Sequence, residues 1–296
     1  MKWRFLGSLV LAATTACTPA RKGPEPSAAH AAPRASASAQ QPAPTAQAST
    51  AGEDHSDAPE TELAVPPAAS QPEVAIREIR VPGDASILVA PGETSTPIVY
   101  LHGRCGDPTA FRAWAQAGVK FGTILSIKGD QKCKGGGRTK WTEDGSKLDR
   151  RITQAIEAVR KELGIELDTE RRLVVGYSQG ALRAELLGTK FPKRYPRAVL
   201  IAGPRAPRPT SLVRSEAVLL VVGDHDAREH LSEAATKLAH AGRAVRYLEL
   251  PGARHGEYGS DAPRVFSEGL GWLVETPNRI EAHPESADAQ PQRAMP

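Results

Sequence analysis

The segment Leu173-Val174-Val175-Gly176-Tyr177-Ser178-Gln179-Gly180-Ala181 passes from an unbroken apolar run into a small-residue turn and then into residues with helical spacing. It fits the pattern G-x-S-x-G set between a buried strand and a helix. That setting needs a tight, strained strand-to-helix turn, and Gly176 and Gly180 remove the side chains that would collide across it. The turn holds the Ser178 hydroxyl clear of the sheet, with the free N–H groups of the new helix beneath it. A five-residue match is weak alone; the strand and helix flanking it give it weight.

Outward from this turn, short β-branched runs alternate with helical periodicity across residues 74–277. Strands are expected at 75–80, 86–89, 97–101, 123–127, 172–175, 198–201, 218–222 and 245–248. Leu148, Ile152, Ile156, Val159 and Leu163 recur at steps of three or four, which predicts a helix over 147–163. The stretches 228–240 and 263–274 read alike. Near-continuous apolar strands such as 173–175 and 218–222 suit the middle of a parallel sheet covered on both faces. The pattern predicts one α/β domain: an antiparallel pair first, then strand–helix repeats forming a mostly parallel central sheet between two helical layers.

A serine hydroxyl is a poor nucleophile until a base takes its proton. Catalytic groups of open α/β sheets gather at the carboxyl ends of strands. Two later strand ends carry suitable side chains: Gly223-Asp224-His225-Asp226, and Pro251-Gly252-Ala253-Arg254-His255-Gly256. His255 is the expected base and Asp226 the carboxylate that orients it, with Asp224 the competing acid. The tetrahedral intermediate also needs two N–H donors. Gln179, directly after the serine, is expected to supply one. The loop His102-Gly103-Arg104-Cys105-Gly106-Asp107 is expected to supply the other through Arg104, with His102 bracing the loop rather than acting as a base. The stretch Gly135-Gly136-Gly137-Arg138 lacks the G-x-x-x-x-G-K-[ST] spacing of a phosphate loop, which excludes a nucleotide site.

Ile98-Val99-Tyr100-Leu101-His102-Gly103 with Gly106-Asp107, then Gly176-Tyr177-Ser178-Gln179-Gly180-Ala181-Leu182, then Gly223-Asp224-His225-Asp226 and His255 resemble the phospholipase/carboxylesterase group of α/β-hydrolases, which includes the acyl-protein thioesterases. The resemblance runs over most of residues 95–260. It implies an α/β-hydrolase fold with no large lid, a Ser178-Asp226-His255 triad, ester or thioester substrates, and neither metal nor organic cofactor. An aromatic in the family's comparable loop implies that Trp141 lines the substrate cleft; packing against the sheet edge is the other reading of that residue.

Three departures accompany the likeness. Cys105 is an extra residue in the oxyanion loop, which leaves Arg104 and Cys105 both open as the donor. Gly180 is followed by Ala181, one glycine fewer than the family has. Asp226 is followed by Ala227-Arg228-Glu229-His230 in place of an apolar, proline-containing loop. The expected activity is that of a serine hydrolase cleaving small-molecule or lipid carboxylic esters. A peptidase or amidase of the same fold, and a catalytically silent binding module, are the rival readings.

The 296 residues carry 38 Lys and Arg against 34 Asp and Glu, a net charge of +4 too slight to imply an acidic partner by itself. The basic runs 190–197 and 205–214 are broken by prolines, and the second has no aromatic for base stacking, so nucleic-acid binding is not expected. Residues 18–73 are mostly Ala, Pro and Ser, and no aromatic stands between Phe5 and Tyr100. Such a composition cannot bury enough apolar surface to offset its ordering entropy, so 18–73 reads as an extended tether and 278–296 as a disordered tail.

Residues 1–17 read as an export signal: Lys2 and Arg4, an apolar run too short to span a bilayer, then Cys17. The small residues before Cys17 resemble a bacterial lipoprotein signal, although Thr14 stands where an aliphatic residue is usual. Lipidation of Cys17 would give a membrane-anchored periplasmic or surface protein, and ordinary cleavage a secreted one. A monomer is expected. Export permits a disulfide, and Cys105 and Cys133 are the pair left to form it. Neither has a second Cys or His at zinc-ligand spacing.

Overall fold

The computed structural model describes residues 73–277. The readings of 1–17 as a signal ending at Cys17, of 18–73 as a tether (all but its last residue) and of 278–296 as a tail lie outside the described residues.

In chain order the elements are β1 (Arg77–Ile79), β2 (Ile87–Ala90), β3 (Pro97–Leu101), α1 (Arg112–Gly118), β4 (Thr123–Ile127), β5 (Gln131–Lys132), β6 (Thr139–Lys140), α2 (Gly145–Leu163), β7 (Leu173–Tyr177), α3 (Gln179–Lys190), β8 (Arg197–Ile201), β9 (Ala217–Gly223), α4 (Glu229–His240), β10 (Val245–Leu250) and α5 (Ala262–Glu275). Eight strands form one sheet in the order β1-β2-β4-β3-β7-β8-β9-β10. Strands β1 with β2 and β2 with β4 pair antiparallel, and every pair from β4 to β10 is parallel. This is the α/β-hydrolase arrangement, with its neighbour order reversed where β4 lies outside β3. Residues 202–216, between β8 and β9, hold no helix or strand, so no lid domain is inserted there.

Alternation along each strand divides the interior into two cores. Val99, Leu101, Val174, Leu200 and Leu220 face a layer built from α2, α3 and α4, whose Ile152, Ile156, Ala184, Leu187 and Ala234 are buried against them. Ile98, Tyr100, Val175, Val199 and Val221 face α1 and α5, through Trp114, Phe266 and Leu270. Every residue of β3, β4, β7 and β9 is buried, as central parallel strands require.

The differences from the expected boundaries have local causes. Helix α2 begins two residues before 147 because the Asp144 carboxylate accepts the N–H groups of Ser146 and Lys147, and it ends where Gly164 takes a left-handed conformation at φ 64°. Strand β7 continues past 175 because Gly176 and Tyr177 keep pairing with Leu200 and Ile201 of β8. Helix α1 and the short hairpin β5–β6 were not expected: each is brief, and the hairpin turns through Gly135, Gly136 and Gly137, all at positive φ.

Candidate active site

Strand β7 ends at Tyr177 and α3 starts at Gln179, so the whole reversal falls on Ser178, whose φ of 51° and ψ of −112° are strained for a residue with a side chain. The turn is this tight only because two side chains are missing. A Cβ on Gly176 would lie 2.2 Å from the Gly180 carbonyl oxygen, and one on Gly180 would lie 1.9 Å from that of Leu101. The backbone is held by the Ser178 N–H donating to Ile201 O at 2.8 Å and the Ala181 N–H donating to Ser178 O at 3.0 Å.

Two further strand ends reach the same rim. The turn after β9 closes with the Asp226 N–H donating to Gly223 O at 3.0 Å. The segment after β10 is tied to it by the His225 N–H donating to Ala253 O at 3.1 Å. There His255 Nδ1 lies 2.7 Å from Asp226 Oδ2, and His255 Nε2 lies 3.1 Å from Ser178 Oγ. In the neutral tautomer with the proton on Nδ1, the imidazole donates to the carboxylate and Nε2 accepts from the serine hydroxyl. The other Asp226 oxygen accepts the Ala227 N–H at 2.7 Å. Asp226 is largely covered, whereas the imidazole is half exposed. Asp224, the competing acid, sits beside His225 instead, 4.0 Å from its Nε2.

The loop after β3 runs against the serine: a Cβ on Gly103 would stand 3.4 Å from Ser178 Cβ. The fully buried His102 holds this loop from within. Its Nδ1–H donates to Gly103 O at 2.7 Å, and Nε2 accepts from Gly129 N–H at 3.0 Å and Thr139 Oγ1–H at 3.1 Å. Burial holds the His102 pKa below its ordinary value, so the ring is neutral and serves as a brace.

Gly103 O also accepts the Gly106 N–H at 2.9 Å, closing a turn with Arg104 and Cys105 at its corners and Cys105 at φ 53°. No peptide bond is cis among the described residues. In a trans peptide the N–H opposes the C=O, so with Gly103 O aimed inward at His102 the Arg104 N–H faces outward. Neither that N–H nor the one of Gln179 has an acceptor among the described residues.

Cys105 and Cys133 are joined in a disulfide that ties the loop to hairpin β5–β6, with Cα atoms 6.0 Å apart. Trp141 departs from the expectation that it lines the cleft. It is 3% exposed, its Nε1–H donates to His102 O at 2.7 Å, and its ring packs on His102 with centroids 4.9 Å apart. The indole N–H needs a partner once buried, and the loop carbonyl provides it. Trp141 therefore supports the loop from below, and its main-chain N–H donates to Gln179 Oε1 at 3.2 Å.

Tyr177 was missed in the sequence as a site residue. Its hydroxyl accepts the Gly256 N–H, and its ring lies 5.6 Å from that of His255, so it positions the segment that carries His255. Its place between Gly176 and Ser178 was the available signal. Burial pushes the Tyr177 pKa above its ordinary value, so this hydroxyl stays protonated. Among the described residues no group of three or more His, Cys, Asp or Glu could hold a metal ion.

No family model matches the chain, and no curated protein does. Among solved structures it is similar to naproxen esterase (carboxylesterase NP) of Bacillus subtilis, at 14% identity and TM-score 0.48 over 68% of this chain and 92% of that one. It is also similar to fluorophosphonate-binding serine hydrolase F of Staphylococcus aureus, at 12% identity and TM-score 0.49 over 68% and 98%. A Bacillus cereus carboxylesterase matches at 18% identity and TM-score 0.46 over 64% and 93%.

Proposed function

We propose that the protein is an exported serine hydrolase that cleaves carboxylic esters or thioesters through an acyl-enzyme on Ser178. One observation carries this reading: the Ser178, His255 and Asp226 side chains form a hydrogen-bonded chain of 3.1 and 2.7 Å at a serine held in a strained strand-to-helix turn. Structural packing alone does not call for all three groups on three separate strand ends, or for strain at the middle residue of the turn.

In this reading His255 Nε2 takes the hydroxyl proton as Ser178 Oγ attacks the ester carbonyl, and Asp226 stabilises the imidazolium. The N–H groups of Gln179 and Arg104 receive the developing oxyanion, the second favoured over that of Cys105 by the orientation of the Gly103 carbonyl. The imidazolium then protonates the leaving alcohol or thiol. A water activated by the same nitrogen hydrolyses the acyl-enzyme and regenerates the serine. The chain shares catalytic motifs with the phospholipase/carboxylesterase group, and on these motifs we place it near that group. Residues 1–17 are proposed to direct export with lipidation at Cys17, and 18–73 to hold the monomeric domain away from the membrane.

A fluorophosphonate probe and a p-nitrophenyl ester series test this. Ser178 should be labelled, labelling should be lost in His255→Ala, and Ser178→Ala should lose turnover by about six orders of magnitude with the fold retained. Near-normal esterase activity in Ser178→Ala would refute the assignment.

A further inference from the structure

The charges around this site are unevenly placed. The oxyanion loop and the β5–β6 hairpin bring together Arg104, Lys132, Lys134, Arg138 and Lys140, against a single carboxylate, Asp107. None of the five cations makes an ion pair among the described residues, whereas others do, from Lys147 on Asp130 to Arg205 on Glu185. Asp107 is already engaged, since its Oδ1 accepts the Thr109 N–H at 2.7 Å. All but Lys140 are exposed.

This basic cluster is fastened to the nucleophile rather than merely near it. The disulfide joins Cys105 to Cys133, next to Lys132 and Lys134. The Arg138 guanidinium reaches Cys105 O at 3.5 Å. Lys140 precedes Trp141, whose main-chain N–H donates to the side chain of Gln179, the residue after Ser178. Arg104 directly follows Gly103, which lies against Ser178. At the ends of β9 and β10, Asp226 is committed to His255, Glu257 accepts the Arg254 N–H at 3.0 Å, and Asp224 lies beside His225. One side of the site is therefore a predominantly cationic surface, five basic side chains to the one carboxylate of Asp107, which Arg138 faces. Such a surface concentrates anionic substrates, raising association by about 10- to 1,000-fold at low salt.

We propose that the preferred substrates are esters bearing a negative charge, a carboxylate or sulfonate-like group near the scissile bond, received by Arg138 and Lys134 of the hairpin together with Arg104. The inference rests on the hydrolase reading above and adds the substrate class. Arg offers a planar fork that matches an oxyanionic group, while Lys supplies a point charge.

Two matched pairs test it on the full chain. The alcohol-side pair is 4-acetoxybenzenesulfonate against 4-acetoxybenzenesulfonamide. The acyl-side pair is p-nitrophenyl hydrogen adipate against its methyl ester. In at least one pair kcat/KM should favour the anion by about tenfold or more at low salt. That ratio should shrink as salt screens the cluster, and should fall at least about threefold in Lys134→Gln/Arg138→Gln. The ratio within one variant cancels any loss common to both esters. Hydrolysis of both members of each pair without preference for the anion overturns the inference and leaves the hydrolase reading standing. A preference unchanged in the double variant overturns the assignment to the hairpin. Hydrolysis of none of the four esters overturns both readings together.

Discussion

Replacing Cys105 and Cys133 together with alanine removes a bridge between residues 28 positions apart. In the chain-entropy account, closing a loop of this length restricts the unfolded chain by about 3.5 kcal/mol. A domain of this size shifts its melting temperature by about 2–4 °C per kcal/mol, so the variant should melt about 7–14 °C lower. Activity should respond differently. The oxyanion loop keeps the His102 bonds to Gly103, Gly129 and Thr139 and the Trp141 indole on His102 O, and none of these involves the bridge. Well below both melting temperatures, kcat/KM on a neutral p-nitrophenyl ester should therefore fall by less than about tenfold, roughly 1.4 kcal/mol. Circular dichroism melts and steady-state kinetics on the purified chain measure both. A melting shift under about 2 °C would refute the entropic estimate. A loss of activity beyond about a hundredfold in a folded variant would show that the bridge, and not the histidine–tryptophan network, sets the geometry of the loop.

Three other outcomes are expected. Ser178→Gly should abolish turnover yet raise stability by about 1 kcal/mol, because glycine accepts φ 51° without strain; a lower urea midpoint would contradict the strain argument. His102 should make stability fall on acidification. Its folded pKa is held below the ordinary 6.5 by burial, so below that pH the unfolded chain binds the proton first, and stability present above about 6.5 is lost as pH drops toward the folded value. Urea midpoints from pH 8 to pH 5 should show this slope, and a His102→Asn variant with the same slope would contradict it. Tyr177→Phe should leave the Gly256 N–H without its partner and lower kcat more than it raises KM, by about tenfold in kcat; unchanged kcat would exclude a positioning role for Tyr177.

Much of the fold was legible because the signals are local and periodic. The strands at 97–101 and 123–127 could be read to the residue, since apolar runs bounded by polar turns need no tertiary information. Among the strand ends that differ from expectation, β7 and β10 run on because pairing with a neighbour outlasts the apolar run: Glu249 of β10 is exposed yet paired with Val222. Hairpin β5–β6 and helix α1 escaped because two-residue strands and a seven-residue helix carry too little pattern to rise above the surrounding loops.

Within the candidate site the division is similar. The order of residues alone determined that a serine would stand in a glycine-flanked turn and that an acid and a histidine would follow at later strand ends, because those features are written in consecutive positions. Only the tertiary structure decided that His255 faces Asp226 rather than Asp224, that Trp141 lies beneath the 102–107 loop rather than in the cleft, and that Tyr177 holds the segment bearing His255. Each of these depends on where two distant backbone segments cross. A side chain's neighbours across such a crossing are set by packing and hydrogen-bond satisfaction of the whole domain, which no local window of residues contains.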